Sequence, residues 1–96
     1  MINAIFWNIR GVSKAPNLRR LITLIRLYAV KFAVICEPKS DVSKVDFIRM
    51  RLAFDSAITN LSNDIWIFYC NPFSCTVIGN STQHISLSIQ HPQLPN

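Results

Sequence analysis

Phe6-Trp7-Asn8-Ile9-Arg10-Gly11 and Ile35-Cys36-Glu37-Pro38-Lys39 are the two stretches on which the reading of this chain turns. Each is a strand-like apolar run ending in polar side chains suited to a metal ion or a phosphate, and a basic amphipathic segment lies between them. A strand, a helix and a strand within this length make a βαβ unit, whose crossover is almost always right-handed and whose strands are parallel. Paired as neighbours, the two runs set Asn8 and Glu37 side by side at strand carboxyl ends, where open sheets of this kind place their ligand crevice.

Working outward, Ile2 to Asn8 reads as a strand buried on both faces, because its apolar residues barely alternate. Gly11-Val12-Ser13 forms the loop, and Ser13, Pro16 and Asn17 all offer helix-start chemistry. From about Pro16 to Ala29 the residues Leu18, Leu21, Ile22, Ile25 and Tyr28 recur on one helical face, with Arg19, Arg20, Thr23 and Arg26 mostly opposite. Lys31 to Glu37 is the second strand, and Pro38, which has no N–H to donate, ends it.

Ser43-Lys44-Val45-Asp46 has the form of a capping box and opens a helix to about Leu52 that buries Val45, Ile48 and Leu52. Helical spacing then gives way to short runs. Ala57 to Thr59 is a candidate strand, Ile65 to Cys70 is apolar on both faces, Asn71-Pro72 turns the chain, and Ser74 to Ile78 reads as the return strand. Gly79-Asn80-Ser81 turns it again, and Ile85, Leu87 and Ile89 alternate with Ser86, Ser88 and Gln90 as in a strand with one wet face. The fold class is α+β: a βαβ unit, a helix and an antiparallel meander, the layout of one half of a layered sandwich, with residues 1–96 as a single domain.

At 96 residues with half of them hydrophobic, the chain needs a core but can bury only about two thirds of its unfolded surface. The first apolar run is too short for an export signal, and the stretch from Leu18 to Val30 carries Arg19, Arg20 and Arg26, so neither a signal peptide nor a membrane span is expected. A nuclear or cytoplasmic location follows from that reading. Cys36, Cys70 and Cys75 are odd in number and lack metal or redox spacing, which points to free thiols. Cys70 and Cys75 flank a turn and are the one pair that could approach, although buried cysteines more often act as small hydrophobes. The glycosylation triplets at Asn60 and Asn80 matter only in a secreted chain and are discounted.

Charge is unevenly placed. All ten Lys and Arg residues lie between Arg10 and Arg51 with only Glu37, Asp41 and Asp46 against them, a net +7, while Asp55 and Asp64 leave the remainder at −2. A basic first half suits a phosphate backbone. Charge alone does not separate this from two helices with solvated faces.

Trp7-Asn8-Ile9-Arg10-Gly11, followed after a helix by Glu37-Pro38-Lys39 at a strand end, resembles the start of the endonuclease/exonuclease/phosphatase superfamily, whose fold is DNase I-like. Within it, the chain is most similar to the apurinic-endonuclease-like domain that heads LINE-type, non-LTR retrotransposon polyproteins, especially those of plants. Asn17-Leu18-Arg19-Arg20-Leu21, the segment from Val42 through Arg49, and Ile65-Trp66-Ile67 extend the resemblance over essentially the whole chain. It implies the N-terminal half of a four-layer α/β sandwich and Mg²⁺-dependent hydrolysis of phosphodiester bonds in DNA. Glu37 would then be a direct metal ligand and Asn8 would orient the scissile phosphate and the metal site. Arg10 and Lys39 stand beside the two motifs as phosphate-binding candidates, with Arg19 and Arg20 as candidates on the helix. Pro38 stands where the superfamily at large more often has Thr.

The plainer readings stay beside these. A strand-end Asn is commonly a turn former, and Trp7 and Trp66 read as core rather than as base-stacking platforms. Glu37 is harder to dismiss, because a carboxylate straight after five apolar residues is costly to bury without a partner. His84 and His91 lie outside any Ser-Asp-His context and read as exposed polar residues. The family's later Tyr, its Asp-x-Asn pair and its late Asp and His have no counterpart here, so the resemblance implies a truncated domain, inactive alone, with an exposed inner sheet face. A partner supplying the missing half, or a non-catalytic basic nucleic-acid binder or functionless remnant, are the alternatives.

Overall fold

The first strand, β1 (Ala4–Asn8), pairs in parallel with β2 (Phe32–Cys36). The connecting helix α1 (Ala15–Leu27) completes the expected βαβ unit. The computed structural model describes residues 3–80 and 85–90, and gives the backbone alone for 74–80, 85–88 and 90. After β2 come a single 3-10 turn (Val42–Lys44), α2 (Val45–Leu52), β3 (Ser56–Thr59), β4 (Ile65–Tyr69), β5 (Ser74–Asn80) and β6 (Ile85–Gln90). Four strands form one mixed sheet in the order β1-β2-β4-β3, and β5 and β6 pair as a separate two-stranded sheet.

Register decides which side chains face the helices. Trp7, Ile35, Trp66 and Thr59 align across the sheet in one row, and Ile5, Ala33, Phe68 and Ala57 in the next, all on one face. Leu21 and Ile25 of α1 and Ile48 and Leu52 of α2 pack on that face, and Ile35, Ala33, Trp66 and Phe68 are fully buried beneath them. Trp66 meets Phe68 edge-on and Phe54 stacks on Phe68, which anchors the α2–β3 connection to the centre of the sheet. The short molecular dimension of 19 Å is two layers deep.

The opposite face carries Phe6, Val34, Ile67 and Ile58 in one row and Asn8, Cys36 and Ile65 in another. β1 is therefore not buried on both faces: Phe6 is 75 % exposed, because among the described residues no helix crosses its side of the sheet. Phe6, Phe32, Val34, Cys36, Ile65, Ile67 and Ile89 of β6 line an apolar groove of about 300 Å³ there.

Two further expectations are corrected. Tyr28 does not continue the buried stripe of α1; it is the C-cap residue and is exposed, since the helix ends at Leu27 and Ala29 turns with φ 50°. The meander is not continuous either. β4 inserts between β2 and β3 and pairs antiparallel with both, so neither of its edges remains for β5, which pairs only with β6. The turn between β5 and β6 lies outside the described residues, as do His84 and His91.

Local sequence chemistry explains the helix ends. Ser13 and Asn17 do not cap α1: Lys14 occupies the N-cap without a side-chain bond, and Pro16 sits in the first turn, where its missing N–H costs nothing. The capping box at Ser43 is likewise replaced. Asp41 Oδ1 accepts from the Ser43 backbone N–H at 2.8 Å and opens the 3-10 turn that leads into α2. That bond, first, and the Ser43 side chain, second, hold the Asp41 carboxyl below its usual range.

Cys36 and Cys70 are free thiols. Burial pushes the Cys70 thiol up. Among the described residues no helix is long and apolar enough to cross a membrane.

Two expected outcomes follow from this packing. Ile48→Ala, at a site of nearly complete burial, should cost about 2–5 kcal/mol in chemical denaturation, whereas Phe6→Ser should shift stability by less than about 1 kcal/mol while raising solubility. Because the Asp41 pKa is depressed in the fold, its contribution is present above the unfolded carboxyl range and is lost as pH falls through the lowered folded value. The gap in melting temperature between wild type and Asp41→Ala should accordingly be full at pH 6 and close below about pH 4.

Candidate functional site

The ladder between β1 and β2 does not stop where the strands stop. Ile9 N–H donates to Cys36 O at 3.0 Å, Gly11 N–H to Glu37 O at 2.9 Å and Val12 N–H to Pro38 O at 2.8 Å, so the two following loops run side by side. Asn8 stands opposite Cys36 in register, and Glu37 is the next residue along β2. Both therefore lie at the carboxyl rim of adjacent parallel strands.

The backbone at this rim is unusual. Arg10 (φ 51°), Glu37 (φ 52°), Lys39 (φ 49°) and Asn63 (φ 60°) are all left-handed without being glycine, and such conformations concentrate at functional sites. The left-handed turns at Arg10 and Glu37 interrupt the in-out alternation of their strands. Both side chains stay outside the core, and Arg10 Nε lies 3.5 Å from Glu37 Oε2, with the two side chains 75 % and 46 % exposed. Pro38 beside them is fully buried and keeps the loop seated.

A frame of side chains holds the rim from beneath. Asn17 Nδ2 donates to Gly11 O at 2.9 Å and to Ile9 O at 3.2 Å, which straps the β1–α1 loop to the start of the helix. Ser13 Oγ and Ser40 Oγ, 3.1 Å apart, join the two loops. Asn63 Nδ2 donates to Ser40 O at 2.7 Å and Asn63 Oδ1 accepts from Trp66 Nε1, tying the β3–β4 turn to the same place. Asn60 is 3 % exposed and accepts with Oδ1 from the Asp64 and Ile65 backbone N–H groups, so its amide is committed to the turn.

Asn8 differs from these asparagines. Its amide is exposed and makes no hydrogen bond among the described residues, whereas a turn-forming Asn bonds nearby backbone, as Asn17 and Asn60 do. Arg10 and Lys39 are exposed beside Asn8 and Glu37. Arg19 and Arg20 are exposed in the second turn of α1 and take part in none of the contacts at the rim.

Two residues were missed by sequence reasoning. Asp64 lies opposite Glu37, whose N–H it accepts at 2.8 Å; its carboxylate is engaged by Ser62 Oγ, also at 2.8 Å. The signal would have been the antiparallel pairing of β4 with β2, which no local pattern announces. Lys14 is the other: its stem lies over Gly11, where an added Cβ would come within 3.1 Å of Lys14 Cε.

Glu37 and Asn8 are oxygen donors, the type that a hard divalent cation takes, and Mg²⁺ keeps several waters and needs only one or two carboxylates from a protein. The exposed Glu37 carboxylate, paired with Arg10, and the exposed Asn8 amide are donors of that kind. Among the described residues no three His, Cys, Asp or Glu side chains gather into a fuller cage. No protein-family model matches this chain, and no curated protein and no solved structure matches it significantly. The site's chemistry therefore rests on its own geometry.

Gly11, at φ 115°, occupies a conformation that L residues rarely adopt, and its open side is filled by Lys14. Gly11→Ala should destabilise the fold by about 1–3 kcal/mol in urea denaturation, and Lys14→Ala in the same background should recover only the steric part.

Proposed function

We propose that the chain is part of a Mg²⁺-dependent phosphodiesterase domain acting on DNA, of the kind carried by LINE-type retroelements, and that it is inactive alone. One observation carries the reading: β1 and β2 are parallel neighbours that bring Asn8, whose amide makes no hydrogen bond among the described residues, and the exposed Glu37 carboxylate to the same rim. The finer fold reading, the N-terminal half of a DNase I-like four-layer sandwich, is supported by a sheet with helices on one face and an apolar opposite face that a second sheet would cover.

In this reading Glu37 binds the cation through a carboxylate oxygen, and Asn8 orients the scissile phosphate by its amide. Bound there, Mg²⁺ would polarise the phosphoryl oxygen and neutralise charge developing on it. Arg10 and Lys39, exposed on left-handed backbone beside the two motifs, are in this reading the residues that would hold flanking phosphates. In this reading the general base is a further residue that joins Asn8 and Glu37 in the complete site.

A second reading is favoured by α1. Its Arg19, Arg20 and Arg26 are exposed, the helix contains no acid, and none of the three is within ion-pair distance of a carboxylate among the described residues. On that reading the chain binds a phosphate backbone without cleaving it.

The two are separated by mixing the chain with a polypeptide that supplies an Asp-x-Asn and a Ser-Asp-His half and following nicking of supercoiled DNA. Mg²⁺-dependent nicking is expected only in the mixture, and Glu37→Ala should reduce it about 10²-fold or more. Nicking that Glu37→Ala leaves unchanged would refute the site. Binding that weakens steeply with salt and with Arg19→Ala/Arg20→Ala, with no nicking, would favour the binder.

A further inference from the structure

The only protein group within ion-pair distance of Glu37 among the described residues is the guanidinium of Arg10. That contact is a product of the fold rather than of sequence proximity. Arg10 follows β1 and Glu37 follows β2, and each has left the extended conformation for the left-handed one at the same level of the ladder. Ile9 N–H to Cys36 O and Gly11 N–H to Glu37 O bracket Arg10 and fix the backbones that carry the two side chains.

The rest of the neighbourhood does not compete for the carboxylate. Lys39 is two residues along from Glu37 but forms no ion pair among the described residues, and the Asp64 carboxylate accepts from Ser62. The Asn8 amide makes no hydrogen bond among the described residues. One cation of the chain is thus seated on the one carboxylate that the proposed reading gives to a metal ion.

We infer that Arg10 is the resident counter-ion of Glu37, and that a divalent cation enters the site by displacing the guanidinium from the carboxylate. This rests on the reading of Glu37 as a cation ligand. The pair is well exposed, so its strength is that of a surface ion pair, enough to lower cation affinity severalfold and too weak to exclude the ion. Arg10 is in these terms a positioning residue: it holds the carboxylate at the rim and sets the threshold at which the cation takes over.

The test is Mn²⁺ binding to the full chain, read by water-proton relaxation at fixed ionic strength, with far-UV circular dichroism confirming that each variant is folded. Arg10→Ala should bind Mn²⁺ about two- to fivefold more tightly than wild type. Lys39→Ala, which removes the same charge without touching Glu37, should give less than half that gain. Glu37→Gln should abolish saturable binding in both the wild-type and the Arg10→Ala backgrounds. If Glu37→Gln removes binding but Arg10→Ala gains nothing, or Lys39→Ala gains as much, the counter-ion role is overturned while the cation site stands. If binding survives Glu37→Gln, the cation site itself falls and the inference with it. Should wild type take up no Mn²⁺, uptake by Arg10→Ala that Glu37→Gln removes supports the role, and its absence overturns it.

Discussion

The backbone ladder between β1 and β2, carried three bonds beyond the last strand residue, is the constraint on which the site depends. It forces the loops after the two strands to travel together, so residues from distant parts of the chain keep a fixed spacing. Each bond is individually modest, with a net worth of about 1 kcal/mol. Their effect here is geometric: shifting the pairing by one residue would turn Asn8 toward the helices and Trp7 toward the open face.

The sheet's two faces are then given different roles by side-chain size and by topology. Trp66, Phe68, Ile35 and Ala33 receive both helices, and the hydrophobic core gathers on this face. The other face keeps Phe6, Val34, Cys36 and Ile65 with Asn8 at its end. Asn8 thus borders the apolar face, while Arg10 and Glu37 pair across the rim beside it.

Much of this was legible in local pattern. The apolar stripe of α1 located Leu21 and Ile25, and the stripe of α2 located Ile48 and Leu52, because helical burial repeats every three to four residues whatever the partner. The parallel pairing of β1 and β2 followed from the helix between them. The order of β4 was not legible, because Ile65-Trp66-Ile67-Phe68-Tyr69 is apolar at every position and suits a central strand with any two neighbours. The helix starts were misread for a related reason: Ser13, Asn17, Ser43 and Asp41 are interchangeable as caps by composition, and only the path of the loop selects among them.

By itself the sequence determined the elements, the basic first half, and the pairing of an amide-ended strand with a carboxylate-ended one, since all of these follow from hydrophobic period and connection length. Tertiary structure alone decided that Arg10 meets Glu37, that Asp64 lies opposite it, and that the Asn8 amide makes no hydrogen bond among the described residues. These depend on register between strands far apart in the chain and on left-handed turns at Arg10 and Glu37, and both are set by packing rather than by the residues next to them.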